Sequence, residues 1–182
     1  MRRGQLIDLI TAEKNRRRRV GSDIVQRINR VIVFIEAELA DLDDEIGATI
    51  RDSDAWQDTA DLLQTIPGVG PTIASQFVAL LPELGRLNRS RIAALVGVAP
   101  YNCDSGAFRG KRMVWGGRVQ VRRALYMATL VGTRYNPVIR EFYHRLRTKG
   151  KSAKVALVAC MRKLLIIANA IVRNHQPWTL IS

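Results

Sequence analysis

The stretch Asn102-Cys-Asp-Ser-Gly-Ala-Phe-Arg-Gly-Lys-Arg-Met-Val-Trp-Gly-Gly-Arg118 sets one hydroxyl, that of Ser105, among four cations, Arg109, Lys111, Arg112 and Arg118. These residue types suit phosphodiester chemistry. A serine oxygen attacking phosphorus builds charge on the non-bridging oxygens, and fixed guanidinium groups stabilise that charge most as the transition state forms. Glycines let the backbone come close to a phosphate. Asp-Ser-Gly is also an ordinary turn sequence, most such triplets only reverse the chain, and on the loop alone that reading wins. A Ser-His-Asp triad fits poorly. The two histidines, His144 and His175, are far from Ser105 in sequence, the first beside Tyr143 on a predicted helix and the second in a terminal loop. The serine would instead need an adjacent base or a metal, together with cationic stabilisation. Asp104 is its neighbour in sequence.

The charge balance names the class of partner. The 182 residues carry a net charge of +13 and are 47% hydrophobic, enough for one ordinary domain and an appendage. Residues 62–182 hold 19 Lys and Arg against Glu83, Asp104 and Glu141, a net of +16, whereas residues 1–61 are net −3. A polyanion-binding surface is therefore expected in the C-terminal two thirds. With no uninterrupted run of about 18 apolar residues and no signal-peptide pattern, nucleic acid is preferred to a membrane, in a cytoplasmic, nucleoid-associated protein. Cys103 and Cys160 have neither CxxC nor Cys/His metal spacing, so reduced thiols and no metal site are expected.

The elements that must position this loop read as mainly α, with a helical, coiled-coil segment over 1–53 and a second domain over 54–182. A helix over 5–19 ends in Arg16-Arg-Arg-Arg19, Gly21 breaks it, and Ser22-Asp23 is expected to cap the next helix. In that long helix Ile28, Ile32, Ile35, Leu39, Leu42 and Ile46 alternate at spacings of four and three, the a/d seam of a coiled coil. The acids Glu36, Glu38, Asp41, Asp43, Asp44 and Glu45 lie mostly off the seam as a solvated face. Further on, helices are predicted from Asn88 or Ser90 to Val96, from Arg118 to Arg134, from Pro137 to about Leu146, and from Lys151 to Asn174, with a small hairpin inside the loop. Arg118 and Arg122 lie one helical turn apart and Arg123 is next to them, so they can reach one phosphate group or form a solubilising rim. Lys151, Lys154 and Arg162 share the polar side of the last helix.

Near 62–81, two apolar-periodic segments are joined by Pro67-Gly-Val-Gly-Pro71, the pattern of a helix-hairpin-helix. Gly68 and Gly70 would free backbone amides at the N-terminus of the following helix, so phosphate oxygens would meet donors and the positive end of a dipole, without reading base sequence. A plain helical hairpin in a core gives the same pattern.

Several short blocks in one order then resemble a known family: Ile66-Pro-Gly-Val-Gly70, Leu95-Val-Gly-Val-Ala-Pro100, Asp104-Ser-Gly106, Gly116-Gly117, Arg122-Arg-Ala-Leu-Tyr126, Asn136-Pro137, Gly150-Lys151 and Cys160-Met-Arg-Lys-Leu164. Over about residues 62–178 the chain resembles the C-terminal domain of the insertion sequence one-ten transposases, relatives of the Piv pilin-gene invertase. The resemblance implies an RNA-guided DNA recombinase acting in DNA transposition. In that arrangement an N-terminal RuvC-like domain carries an acidic metal tetrad, a coiled coil follows, and the C-terminal domain supplies a serine nucleophile. Ser105 would then form a covalent phosphoserine link with DNA. Residues 22–50 would be the coiled coil that assembles a homo-oligomer and helps hold a structured guide RNA.

On this resemblance the chain is expected to be a truncated transposase or an excised domain, because nothing before residue 22 has the length or the spaced carboxylates of a RuvC-like domain. It is expected to bind nucleic acid and to be inactive or nearly so alone, since positioning and charge stabilisation act together. No cofactor is expected on this chain; Mg2+ is expected only with the RuvC-like domain. Two other readings stay open: a non-catalytic helix-hairpin-helix DNA binder, and an RNA-binding module.

Overall fold

In the computed structural model, residues 2–100 and 114–179 are described, and among them there are eight α-helices and no strand. They divide into two compact units, Met1–Ser53 and Asp54–Ser182. The loop carrying Ser105, Arg109, Lys111 and Arg112, with the hairpin expected there, lies outside the described residues.

The first unit is a helical hairpin of α1 (Arg2–Arg17) and α2 (Ser22–Arg51). The heptad seam of α2 is filled from within the chain. Ile28, Ile32 and Ile35 are buried with Leu6 and Ile10 of α1, while Val20, Leu39 and Leu42 pack at the edge. The two helices run antiparallel, because Arg3 pairs with Asp43 at one end and Arg17 with Asn29 at the other. Spacing alone shows that a helix needs a partner along one stripe, not which partner it finds. The start of α2 also differs from expectation: its N-cap is Gly21 in extended conformation, with no side-chain capping bond, and the Ser22 hydroxyl turns to Asp23 instead.

The second unit holds α3 (Asp54–Gln64), α4 (Pro71–Leu80), α5 (Arg89–Val96), α6 (Val119–Tyr135), α7 (Pro137–Thr148) and α8 (Ala153–Asn174). Helix α8 packs against α3, α5, α6 and α7, and its Cys160, Leu164, Leu165 and Ala168 are fully enclosed. Each such large aliphatic side chain contributes roughly 1.5–3 kcal/mol through burial. Among the described residues α8 alone has the length and apolar content that crossing a bilayer requires, but Arg162 and Lys163 interrupt it midway and its apolar positions form this core.

Two buried amides hold the chain between helices. Asn169 of α8 accepts from the Gly85 backbone N–H at 2.9 Å and donates to the Leu87 carbonyl at 2.9 Å, fixing the turn before α5. Asn136 caps α7, accepting from the Ile139 N–H at 3.2 Å, and donates to the Pro67 carbonyl at 3.3 Å. Among the described residues no buried side-chain nitrogen or oxygen lacks a partner, as the cost of an unmade interior hydrogen bond requires.

Candidate nucleic-acid interface

The Ser105 loop leaves the helical scaffold at Gly97 and returns at Gly116-Gly117, and these two ends cross in contact. Gly97 ends α5 in the left-handed region (φ 78°), and Gly117 is left-handed too (φ 75°). A Cβ on Gly117 would overlap the backbone of Val96 and Gly97, and one on Gly97 would overlap the Gly116 carbonyl. The crossing is bonded as well as packed. The Arg118 N–H donates to the Leu95 carbonyl at 3.0 Å, and the Arg122 guanidinium donates to the Gly116 carbonyl. Both roots of the loop are thus fixed to α5 and α6.

Arg118 is a structural tie rather than an open phosphate ligand. Its guanidinium meets Glu83 at 2.5 and 2.7 Å and also donates to the Leu80 carbonyl, the last of α4, at 2.8 Å. This hydrogen-bonded guanidinium holds the Glu83 carboxyl below the usual carboxylate range, against a smaller opposing effect of burial. Arg122, one turn on, is engaged at the loop root, so this pair of arginines ties down scaffold and does not share one open phosphate site. Arg123 is exposed on the same helix.

The α3–α4 turn separates its two glycines by role. Gly68 (φ 102°) lies against the backbone of α6: a Cβ there would stand 2.8 Å from the Ala128 carbonyl oxygen and 2.9 Å from the Gly132 nitrogen. It is a packing glycine at a helix crossing. Gly70 is exposed, is the N-cap of α4 without a side-chain cap, and has open space around its Cβ position. The first turn of α4 there presents the positive end of the helix dipole to solvent. Pro71 begins that helix and lacks an N–H of its own.

Lys151 and Lys154 are exposed on either side of the α8 N-terminus, where Ser152 makes no side-chain capping bond and the first turn holds no acid. Cations at a helix N-terminus oppose the dipole, a cost of about 0.3–1 kcal/mol that an arriving anion removes. Arg162 is half-buried further along α8, and its neighbour Lys163 sits 4.7 Å from the centre of the Phe142 ring, with Arg145 5.2 Å from the same ring. Sequence spacing did not reveal Asn136 and Gly132 as the partners of the α3–α4 turn. The Asn136-Pro137 pair signals only a helix start. Burial pushes the Cys160 thiol up to about 11, so it stays a neutral core side chain. No group of three or more His, Cys, Asp or Glu among the described residues could hold a metal ion.

Comparison with known proteins places this arrangement. Residues 60–144, spanning α3 to most of α7, match the model of the Transposase IS116/IS110/IS902 family. The chain is 33% identical over 144 residues to the pilin gene-inverting protein of Moraxella bovis, covering 77% of this chain and 45% of that protein. It is 28% identical over 163 residues to the insertion element IS900 uncharacterized 42 kDa protein of Mycobacterium paratuberculosis, covering 87% and 40%. With the insertion element IS116 uncharacterized 44.8 kDa protein of Streptomyces clavuligerus it shares 26% over 167 residues, covering 85% and 40%. The chain therefore spans less than half the length of these relatives. The helices that hold the Ser105 loop at both roots and pin the α3–α4 turn to α6 are accordingly a domain of the Transposase IS116/IS110/IS902 family.

Proposed function

We propose that this domain binds DNA and carries the serine nucleophile of a transposase or recombinase strand cleavage. The observation that carries the reading is the crossed root of the loop: Gly97 against Gly117, with Arg118 bonded to Leu95, holds both ends of a segment rich in Gly and Arg. A nucleophile acts only when held against its target, and fixing both roots to α5 and α6 limits where the segment between them can reach. In the proposed step the Ser105 oxygen forms a bond to phosphorus, the phosphorus–oxygen bond to the sugar breaks, and the departing oxygen takes up a proton. Arg109, Lys111 and Arg112 would stabilise the charge on the phosphate.

Around that loop, the exposed start of α4 at Gly70 and the Lys151 and Lys154 pair would contact phosphates without reading bases. Mg2+ would be held by carboxylates of another region, since no group of three or more His, Cys, Asp or Glu among the described residues could hold it. Exposed Val33 and Phe34 on α2 support self-association through the first unit, the segment that would also help hold a guide RNA. Such a protein would work on the nucleoid.

The test is Ser105→Ala, assayed with the metal-binding region of a longer relative supplied in trans. Duplex DNA affinity should stay within about twofold while the covalent protein–DNA adduct disappears. Collapse of binding would make Ser105 a structural residue. An adduct found with neither protein would favour the non-catalytic binder.

A further inference from the structure

We propose that the outer face of α6 is a stacking surface for the unpaired bases of a DNA strand. The inference rests on the nucleic-acid reading above and assigns that partner a form. Tyr126, Met127, Leu130, Val131 and Tyr135 are all exposed, Tyr135 to 70% and Met127 to 52%. At 100° per residue they occupy one half of the helix, and Arg134 falls in the middle of that half. Beside them, Met127 and Val131 form one wall of a cleft of about 460 Å³ whose other wall is the turn Ile66 to Gly70.

An apolar helix face calls for a partner, and the charge decides which. A second copy would bring a segment of net +16 against another of the same charge. A polyanion is attracted by the same charges. A duplex keeps its base faces covered and presents groove edges, sugar and phosphate, from which Leu130 and Val131 gain little. An unpaired strand presents flat apolar rings to tyrosines and phosphates to Arg134, the combination used by single-strand binders. Tyr126 and Tyr135 are separated by about 13.5 Å along the helix axis and stand at the two margins of this half, with Leu130, Arg134 and Met127 between them. The choice of DNA over RNA follows from the strand-cleavage reading above.

The experiment compares the full chain with Tyr126→Ala, Tyr135→Ala, the double variant and Tyr126→Phe/Tyr135→Phe. Each is titrated with oligo-dT, oligo-rU of equal length and a DNA duplex. Each alanine should lower oligo-dT affinity about tenfold and the pair about a hundredfold, with duplex affinity within about twofold and the phenylalanine variant close to the parent. Equal losses on duplex, a phenylalanine variant as weak as the alanines, or tighter binding of oligo-rU would overturn the proposal. So would an alanine variant whose sedimentation shows a lost dimer, because the face would then join two copies. If the parent binds the duplex and the alanines leave oligo-dT affinity unchanged, only this proposal fails. If the parent binds no nucleic acid at all, the reading beneath it fails first.

Discussion

The two units use charge in opposite ways. In the hairpin of α1 and α2, cations are matched within the fold: Arg3 meets Asp43 at 2.5 Å, Lys14 meets Glu36 at 2.8 Å, and Arg16 meets Glu13 at 2.8 Å. In the second unit, which begins at Asp54, 19 cations face six acids, so most of the charge has no internal counterpart. There the Arg118–Glu83 pair closes a loop root, and other cations such as Lys151 and Lys154 lie exposed. Residue types that stabilise a hairpin in the first unit form, in the second, an uncompensated positive field. The second unit must then draw its stability from close packing, and substitutions there should cost most where backbones touch.

The largest effect expected is Gly68→Val, which combines a left-handed backbone with a Cβ 2.8 Å from the Ala128 carbonyl oxygen. Urea unfolding should show a loss of about 3 kcal/mol. The same change at Gly70, with ordinary φ and open space, should cost only about 1 kcal/mol, through the poorer N-cap. Equal costs at the two glycines would mean that the turn is not pinned to α6. Next comes Asn136→Ala, which strips both the α7 cap and the Pro67 carbonyl of a buried partner and should cost about 2 kcal/mol in the same measurement.

Arg118→Ala should cost less, about 1 kcal/mol, because the pair is a third exposed and partly screened. It also has a pH signature. The folded Glu83 pKa is lowered, so the pair stabilises fully above the ordinary carboxylate pKa, and the contribution fades as acid carries the pH down through the lowered value. The variant should therefore lose less stability than the parent between neutral pH and about pH 3. The smallest effect belongs to the first unit: Arg3→Ala should cost about 0.5 kcal/mol and become neutral in 1 M salt. A loss there larger than that of Gly68→Val would reverse the comparison of the two units.

Local signals in the sequence located most helices because their ends have local causes. Gly97 is read as a stop and is left-handed, and Asn88 is read as a start and accepts from the Ser90 and Arg91 N–H groups. Asn136-Pro137 divides α6 from α7 as the proline predicts. What the sequence leaves open are questions of partner. The heptads of α2 meet α1, Gly68 lies against α6 although its neighbours suggest an anion site, and Arg118 turns to Glu83, 35 residues away in the chain. Periodicity and turn chemistry describe a few residues at a time, whereas these partners are brought together by tertiary packing. Of the candidate site, the exposed positions Gly70, Lys151 and Lys154 were legible, and the contacts that fix the loop roots were not.

The crossing of Gly97 and Gly117 also separates two kinds of selection. Substitutions at these two positions are selected for backbone fit, because a Cβ at either meets the other segment's backbone, whereas those at exposed Val114 and Trp115, just before the crossing, can be selected for what they touch outside the fold.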